Sequence, residues 1–501
     1  MRPSPLLARF EAHFRATRAA IVDAEGTTSF ATLGARALGA ADVLRAGATS
    51  LDGARVALLA APGAAWVEAF LGTLLAGGVS VPLSPLYPAA ELAYFLDDAQ
   101  VDTLVVSDEL RARIEPVVGA RRVVRAADLV AAPGGRPAAP AHDDDVALML
   151  YTSGTTGRPK GAMITHANLA VQATLLGDAW GWSERDVLLH ALPLHHLHGL
   201  GISLLTALFA GASARMLPRF DAVAAWDAMA ASTVLMAVPT MYQKLLDAFD
   251  AADEPTRARW TAGARALRLA TSGSAALPAR LAGRWGAVAG SLPVERFGMT
   301  EIGVGMSNPI EGERRAGSVG LPLPTVELRL VGDDGRDAAP GEPGEIWVRG
   351  PSVFRGYFGR DEATRAAFTD GWFRSGDVAE RGEGGYLRIL GRTSVDILKS
   401  GGYKLSALEI EDALREHEAI AEVAVVGVPD ETWGDRVVAV VVARAGFEAA
   451  LDDEGAMRAW AKERLAAYKV PRAFVRVDAL PRNAVGKVIK PDVVRALVAK
   501  A

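Results

Sequence analysis

The sequence YTSGTTGRPKG, residues 151–161, is the stretch from which the interpretation of this chain starts. Glycines allow backbone amides to approach a ligand closely, and serine and threonine hydroxyls add further donors, so such a loop suits a polyphosphate. Gly161 follows Lys160 where a P-loop NTPase has serine or threonine. The loop therefore indicates a phosphate site on a different architecture, or no nucleotide at all.

Outward from this loop, short leucine-rich or β-branched runs alternate with alanine-rich helical stretches. RVALLA (55–60) precedes AAWVEAFLGTLLAGG (64–78), and similar strand-like runs return at TVLMAVPT (233–240) and ALRLATSG (266–273). Alternation of this kind favours mainly parallel α/β sheets with helices on their faces.

The pattern changes in the last third of the chain. After Thr325 two strand-like runs are joined by a Gly/Pro turn, which predicts a more antiparallel section. The final hundred or so residues combine an amphipathic helix at 406–417, two valine-rich strands and a helix that stops at Pro471. They predict a small α+β unit.

Composition narrows the class of protein. With 501 residues the chain is too long for one core, so two or more domains are expected. Half of the residues are apolar and the net charge is −5, which does not indicate nucleic acid or an anionic membrane as a partner. The absence of cysteine excludes disulfides, thiolate zinc sites and a cysteine nucleophile. We expect a cytoplasmic protein.

Two segments could be mistaken for targeting or membrane elements. The N-terminus is rich in arginine, but Leu6, Leu7 and Phe10 recur at helical spacing and predict an ordinary first helix rather than a transit peptide. Residues 187–214 contain no Asp, Glu, Lys or Arg, although Pro193 and four histidines interrupt them. This predicts a loop followed by a buried helix, with no stable membrane association.

Half of the eight histidines lie within nine residues: His190, His195, His196 and His198. A transition-metal site would need three or four ligands that converge. Adjacent side chains on a regular backbone point in different directions, and neither an H-E-x-x-H motif nor a nearby carboxylate accompanies the run. A metal site is therefore the disfavoured interpretation.

The chain resembles the acyl-CoA synthetases of the adenylate-forming superfamily over essentially its whole length. In order it carries YTSGTTGRPKG, LPLHHLHG, TSGSAALP, RFGMTE, RSGD, GRTSVDILKSGGYKLSALEIE and PRNAVGKVIK. The segments LLHALPLHHLHGL and MSNPIEGERRAGSVGLPLPTVELRL resemble the malonyl-CoA synthetases within that family. The resemblance implies that ATP and Mg²⁺ convert a small-molecule carboxylic acid into an acyl-adenylate, and that coenzyme A then displaces AMP. Malonate is the favoured acid, with methylmalonate close behind.

The resemblance also implies the architecture. Residues 1–391 would form a large α/β domain of two mainly parallel sheets with helices plus a β-barrel, and 397–501 a small, mobile α+β lid. Residues 392–396 would form the hinge. The hinge GRTSVD is one residue longer than the usual G-R-x-K/D-D, so Ser394, Val395 or Asp396 supplies the pivot.

Lys487 matches the family's catalytic lysine. A carboxylic acid with a pKa of about 4 is already ionised at neutral pH, so the first step needs no general base. It needs relief of the repulsion between two anions, which an ammonium bridging the carboxylate and the α-phosphate would supply.

The nucleotide contacts are carried over residue by residue. The resemblance assigns phosphate binding to Thr152, Ser153, Gly154, Thr155, Thr156, Gly157, Lys160 and Thr300. It assigns Mg²⁺ to Glu301 and Thr156, and the adenine surroundings to Ser274, Ala275, Ala276, Phe297, Gly298 and Met299. It assigns the ribose hydroxyls to Asp377 and Arg392.

The acyl and thiol sites rest on fewer residues. His196 would lie between the acyl pocket and the thiol tunnel, and His198 would contact a polar acyl group. Malonate keeps a second carboxylate that needs a cationic partner, and the candidates are Lys244, Arg314 and Arg315. Lys244 stands where malonyl-CoA synthetases usually have arginine. Gly401, Gly402 and Lys404 would contact coenzyme A.

Alternative functions stay open at this point. One is a ligase for another short-chain or aromatic acid, and another is an adenylation enzyme that loads a separate acyl carrier protein. A catalytically inactive binding protein is disfavoured, because Lys487, Glu301, Asp377 and Arg392 are all present.

Overall fold

The computed structural model describes residues 2–130, 135–152, 158–400, 403–430, 432–482 and 488–498. The chain divides into two compact units. Unit 1 contains residues 1–327 and 348–373, and unit 2 contains residues 328–347 and 374–501. The predicted boundaries at 391 and 397 stay a prediction.

The strands are given in chain order. In the described part of the chain they are β1 (Ala19–Asp23), β2 (Gly26–Ser29), β3 (Arg55–Leu59), β4 (Val79–Pro82), β5 (Val101–Val106), β6 (Arg122–Arg125), β7 (Val146–Thr152), β8 (Lys160–Thr165), β9 (Val187–His190), β10 (Ser213–Met216), β11 (Val234–Ala237), β12 (Leu269–Ser272), β13 (Val294–Met299), β14 (Gly303–Ser307), β15 (Leu321–Pro322), β16 (Glu327–Val331), β17 (Gly344–Arg349), β18 (Gly356–Tyr357), β19 (Phe368–Thr369), β20 (Trp372–Arg381), β21 (Leu387–Arg392), β22 (Ile397–Ser400), β23 (Tyr403–Ser406), β24 (Ile420–Asp430), β25 (Gly434–Ala443) and β26 (Ala473–Arg476).

The helices follow the same order. Among the described residues they are α1 (Pro5–His13), α2 (Phe30–Arg45), α3 (Ala64–Leu75), α4 (Ala89–Asp98), α5 (Arg111–Ile114), α6 (Ala126–Val130), α7 (His166–Ala179), α8 (Thr206–Phe209), α9 (Ala222–Met229), α10 (Pro239–Ala251), α11 (Glu254–Ala266), α12 (Ala279–Ala289), α13 (Asp361–Ala366), α14 (Ala407–Leu414), α15 (Glu448–Asp452), α16 (Glu454–Lys462) and α17 (Lys490–Val498). A π-helix at His198–Leu205 leads directly into α8.

Unit 1 contains two mainly parallel sheets, as predicted. One has the order β18-β8-β7-β4-β3-β5-β6, with parallel pairs from β7 to β6. The other has the order β15-β14-β13-β12-β11-β9-β10-β1-β2, with parallel pairs from β13 to β1. Such sheets are buried on both faces, which explains why every residue of β4 and β11 is buried.

Unit 2 owes its stability to two apolar layers on opposite faces of one sheet. Successive side chains of β24 alternate between them, so Val423 and Val425 join Ile410 of α14 in one layer. Val426 joins Val493 of α17 in the other layer. The sheet has the order β23-β22-β25-β24, with β26 parallel to β25. The α+β prediction is confirmed.

The two ambiguous segments have clear structures. Residues Leu6, Leu7 and Phe10 are buried in α1, so the predicted first helix is confirmed. The uncharged segment forms β9, a loop, and the helical stretch that begins at His198. Within the described residues, no helix has the length and apolar character needed to cross a bilayer.

Candidate active site

The sequence around the glycine-rich loop folds as an antiparallel hairpin of β7 and β8. The register pairs Thr152 with Lys160 and Tyr151 with Gly161, so the hairpin brings both ends of the loop together. The apolar residues of β7 are buried and anchor this pair. The predicted phosphate contacts Ser153, Gly154, Thr155, Thr156 and Gly157 lie outside the described residues.

Lys160 and Glu301 both contact one tyrosine, Tyr357. The Nζ atom of Lys160 is 4.6 Å from the centre of the Tyr357 ring. The Tyr357 hydroxyl donates a hydrogen bond of 2.9 Å to Oε1 of Glu301, which is 5% exposed. The structure therefore joins two predicted nucleotide contacts through a residue that sequence analysis missed.

Glu301 fits the chemistry of Mg²⁺ binding. Mg²⁺ is commonly held by one or two carboxylates together with phosphate oxygens of the substrate. Among the described residues, no group of three or more His, Cys, Asp or Glu could hold a metal by itself. A single buried carboxylate beside the phosphate hairpin matches a cation that arrives with a nucleotide.

The segment before Glu301 is strand β13, paired antiparallel with β14. Phe297 lies opposite Met306, and Gly298 lies opposite Val304. A Cβ atom at Gly298 would be 2.3 Å from the carbonyl oxygen of Gly303, so only glycine allows this approach. Phe297, Gly298, Met299 and Thr300 are all partly exposed.

His198 forms a hydrogen bond to a residue from the TSGSAALP motif. Its Nδ1 lies 3.0 Å from Oγ of Ser274, which adopts a left-handed backbone with φ of 68°. His198 is the first residue of the π-helix, a form of helix that often marks functional sites. Ser274, Ala275 and Ala276 are exposed, as a surface for adenine requires.

A second residue that sequence analysis missed lies beside this pair. The Arg296 guanidinium packs against Gly273, where a Cβ atom would be 2.5 Å from its Cζ. Arg296 is 4% exposed, and its Nε and Nη2 have no hydrogen-bond partner among the described residues. The sequence shows this arginine inside the motif RFGMTE, but the sequence analysis assigned roles only to the residues that follow it.

Burial controls the protonation of this pocket. It lowers the pKa of Arg296 to about 10. It also lowers the pKa of His198 well below its usual value, and the charge of Arg296 adds to that effect. His198 is therefore neutral at pH 7, and its buried Nε2 has no partner among the described residues. Among the described residues, a buried guanidinium with two unpaired donors therefore lies near a neutral imidazole with one unpaired nitrogen.

The other histidines have distinct surroundings. The rings of His195 and His196 lie 4.3 Å apart, and His195 also contacts the ring of Tyr87. His190 is buried, with Nε2 3.0 Å from the carbonyl oxygen of Gly199. Burial lowers the pKa of His195 to about 3 and that of His190 to about 4, so both are neutral at pH 7.

The predicted cationic partners of the acyl group have other contacts. Lys244 is exposed on α10. The Arg314 guanidinium donates to the backbone carbonyls of Leu292, Pro309 and Ile310. Arg315 pairs with the exposed Glu313 at 2.9 Å. Arg296 differs from these three residues because it is almost fully buried with two unpaired donors.

In unit 2, the two predicted ribose contacts pair with each other. Strands β20 and β21 place Asp377 opposite Arg392. Arg392 Nε donates to Asp377 Oδ1 at 3.0 Å, and its backbone N–H donates to Asp396 at 3.1 Å. Asp396 in turn accepts from Lys490 at 2.6 Å.

Four further predicted residues belong to unit 2. Lys487, Gly401 and Gly402 lie outside the described residues. Lys404 pairs with Lys399 between β23 and β22, and its side chain is outside the described part.

The fold and these contacts define an α/β protein with a predicted phosphate-binding hairpin and an α+β unit. The family described as AMP-binding enzyme matches residues 8–358, and the AMP-binding enzyme C-terminal domain matches residues 409–487. The chain belongs to the AMP-binding enzyme family.

Three relatives illustrate the similarity. The mitochondrial malonate–CoA ligase of Mus musculus is 43% identical over 481 residues, which cover 88% of this chain and 82% of the relative. The crystal structure of ATP-bound MatB from Rhodopseudomonas palustris has a TM-score of 0.89 and 37% identity, with 99% of each chain covered. A malonyl-CoA ligase in a ternary product complex with methylmalonyl-CoA and AMP has a TM-score of 0.71 and 41% identity, with 96% of this chain and 100% of that chain covered.

Proposed function

We propose that the protein is an ATP- and Mg²⁺-dependent malonate–CoA ligase, which forms malonyl-adenylate and then malonyl-CoA. Family membership and the similarity to malonate–CoA ligases support the reaction class. The observation that carries the choice of acid is the buried Arg296, whose Nε and Nη2 have no partner within the described residues.

An unpaired buried guanidinium selects for an anionic acid. Malonate and methylmalonate keep a free carboxylate after the other one is activated, and that carboxylate would pair with the planar donors of Arg296. The charge of Arg296 helps to lower the pKa of His198, whose buried Nε2 also has no partner among the described residues. An acid with an apolar tail would leave the guanidinium buried without a counter-ion, which is costly.

The first step then follows from charge and position. A carboxylate oxygen of malonate attacks the α-phosphorus of ATP, and the bond to pyrophosphate breaks. Lys160, held over the Tyr357 ring, would attract the departing phosphates, and Lys487 would reduce the repulsion between the two reacting anions. Mg²⁺ bound with ATP at Glu301 would neutralise phosphate charge.

The second step transfers the malonyl group to sulfur. The sulfur of coenzyme A attacks the acyl carbon, the bond to AMP breaks, and the thiol proton is lost to solvent. The partly exposed His196 would border the path of the thiol. The roles of Gly401, Gly402 and Lys404 in binding coenzyme A, of Asp377 and Arg392 in binding ribose, and the cytoplasmic location all stay predictions.

The test is pyrophosphate release with a panel of acids, each measured with and without coenzyme A. Malonate and methylmalonate should give the highest kcat/KM, with butyrate and benzoate at least about 100-fold lower, which corresponds to about 2.7 kcal/mol. Malonyl-CoA should appear when coenzyme A is present. Preference for an acid that lacks a second carboxylate would refute the assignment of malonate. Adenylation without any thioester product would favour loading of a separate carrier protein.

A further inference from the structure

Tyr357 lies beside the phosphate hairpin, although no predicted role includes it. Strand β18 pairs antiparallel with β8, with Tyr357 opposite Ala162. The next residue, Phe358, donates its backbone N–H to the carbonyl oxygen of Gly161 at 2.8 Å. The backbone that carries Tyr357 is thus hydrogen-bonded to the strand that begins with Lys160.

The same short segment is also bonded to Glu301. The backbone N–H of Phe354 donates to the Glu301 carbonyl oxygen at 2.8 Å. The Tyr357 hydroxyl donates to the Glu301 carboxylate at 2.9 Å. One segment therefore fixes both the main chain and the side chain of this glutamate.

Tyr357 contacts opposite charges with its ring face and its hydroxyl. An ammonium is attracted to the face of an aromatic ring within about 6 Å of its centre, and Lys160 Nζ is 4.6 Å away. A phenol O–H donates to a carboxylate and favours its charged form. Because Tyr357 is only 7% exposed, its ring has little freedom to move. The tyrosine holds a cation and an anion at a fixed separation.

We propose that Tyr357 is a positioning residue for nucleotide binding. It sets the distance between Lys160 and Glu301 so that both can engage one Mg²⁺-triphosphate, the lysine through phosphate oxygens and the glutamate through the metal. The inference rests on the proposed function, because Glu301 and Lys160 receive these roles there.

The central experiment compares Tyr357→Phe with the wild type in calorimetric binding of a non-hydrolysable ATP analogue, with and without Mg²⁺. The variant keeps the ring under Lys160 and removes the hydroxyl that donates to Glu301. We expect the affinity in Mg²⁺ to fall about tenfold and the Mg²⁺-free affinity to change less than twofold. Equal losses in both conditions, or no loss in Mg²⁺, would overturn the proposal.

A second tyrosine at the same hairpin provides the matched control. The hydroxyl of Tyr94 donates to the carbonyl oxygen of Pro159 at 2.6 Å. Tyr94→Phe also removes one phenol oxygen next to the loop, but without a link to Glu301. It should change the affinity by the same factor with and without Mg²⁺. A Mg²⁺-specific loss in this variant would show that any disturbance of the hairpin has the effect.

The Glu301→Gln background separates a positioning role from a stabilising one. Glu301→Gln should lose the gain in affinity that Mg²⁺ provides, and Tyr357→Phe should then reduce binding less than twofold further. A full additional tenfold loss would contradict action through Glu301. Melting temperatures of all variants identify any general loss of folding.

Failure of this inference is distinguishable from failure of the proposed function. If the acid panel selects another acid while Tyr357→Phe shows the Mg²⁺-specific loss, only the assignment of malonate fails. If malonate is the best acid and the loss is absent, only the role of Tyr357 fails. If the wild type gains no affinity from Mg²⁺, both fail.

Discussion

Arg296 in unit 1 is buried and Lys490 in unit 2 is largely buried, with 12% of its side chain exposed, but the surroundings of the two cations are opposite. Arg296 Nε and Nη2 have no partner among the described residues, and burial lowers its pKa to about 10. Lys490 Nζ lies 2.6 Å from Asp396 and 2.7 Å from Glu411. Burial acts to lower the pKa of Lys490, but the two carboxylates outweigh it and raise that pKa.

The difference separates a charge used for structure from a charge kept for a ligand. Lys490 begins α17, Asp396 follows β21, and Glu411 lies in α14, so their ion pairs connect three elements of unit 2. Glu411 also accepts from the backbone N–H of Val425. The protein supplies every partner of this group itself. Arg296 instead needs a partner that the pocket receives from outside, and such unpaired ionisable groups occur at functional sites.

The largest effect is expected at Lys487, only three residues before Lys490. Lys487→Ala should reduce malonate-dependent exchange of pyrophosphate into ATP by about 1,000-fold, because one charged donor to a transition state is worth about this much. Isotope exchange measures the first step without coenzyme A. Lys490→Met is the control for this variant and should keep more than a tenth of the wild-type exchange rate. Exchange by Lys487→Ala at the wild-type rate would refute the mechanism.

Lys490→Met tests whether the second buried cation is structural. Removing it takes the counter-ion from Asp396, while Glu411 keeps its ion pair with Arg415 at 2.9 Å, and should lower the stability of unit 2 by about 3 kcal/mol. Hydrogen exchange of the amides of β24 and β25 measures this opening free energy. The control is Arg476→Met, which breaks an exposed pair with Asp452 and should change the opening free energy much less than Lys490→Met does. If the two variants lower the opening free energy equally, Lys490 has no special structural role.

Arg296→Met tests the opposite behaviour in unit 1. It should lower kcat/KM for malonate by about 100-fold, or about 2.7 kcal/mol, because the second carboxylate would be buried without a partner. The melting temperature should not fall, since Nε and Nη2 of the guanidinium have no partner to lose among the described residues. The exposed Lys244→Ala is the control and should change kcat/KM less than twofold. A larger effect at Lys244 than at Arg296 would favour the predicted Lys244 as the substrate contact and refute the role of Arg296.

His166 provides an effect that appears only in acid, from a buried group that is neutral at pH 7. Burial lowers its pKa to about 4 from 6.5, so the unfolded chain binds more protons than the folded chain between these pH values. Stability is therefore lost as pH falls from 6.5 to 4, by up to about 1.4 kcal/mol per pH unit. Melting temperatures across this range should fall less steeply for His166→Asn. If the melting temperatures of the wild type and of His166→Asn fall equally steeply with pH, the lowered pKa of His166 is contradicted.

Much of the candidate site was predictable because local motifs carry it. Lys160 and Glu301 follow from their motifs, and the structure joins them through Tyr357. Asp377 and Arg392 were both predicted, but the ion pair between them was not, since it depends on the register of β20 and β21. Arg296 was missed because a single arginine beside a known motif gives no local sign of its burial.

The choice of charge partner shows the limit most clearly. Lys244, Arg314 and Arg315 were reasonable candidates by charge, because the sequence lists cations without stating their exposure. The structure places Lys244 on the exposed face of α10 and engages Arg314 with backbone carbonyls. Arg296 is desolvated where β13, the strand that carries it, packs against Gly273. This is a contact between separate segments of the chain.

Sequence alone established the class of chemistry, the two mainly parallel sheets and the α+β unit, because periodicity and ordered motifs are local properties of the chain. Packing between remote segments decided the rest: which arginine loses its water, which lysine gains two carboxylates, and which tyrosine stands between Lys160 and Glu301. These depend on burial and on strand register, and both arise only when segments far apart in the chain come together.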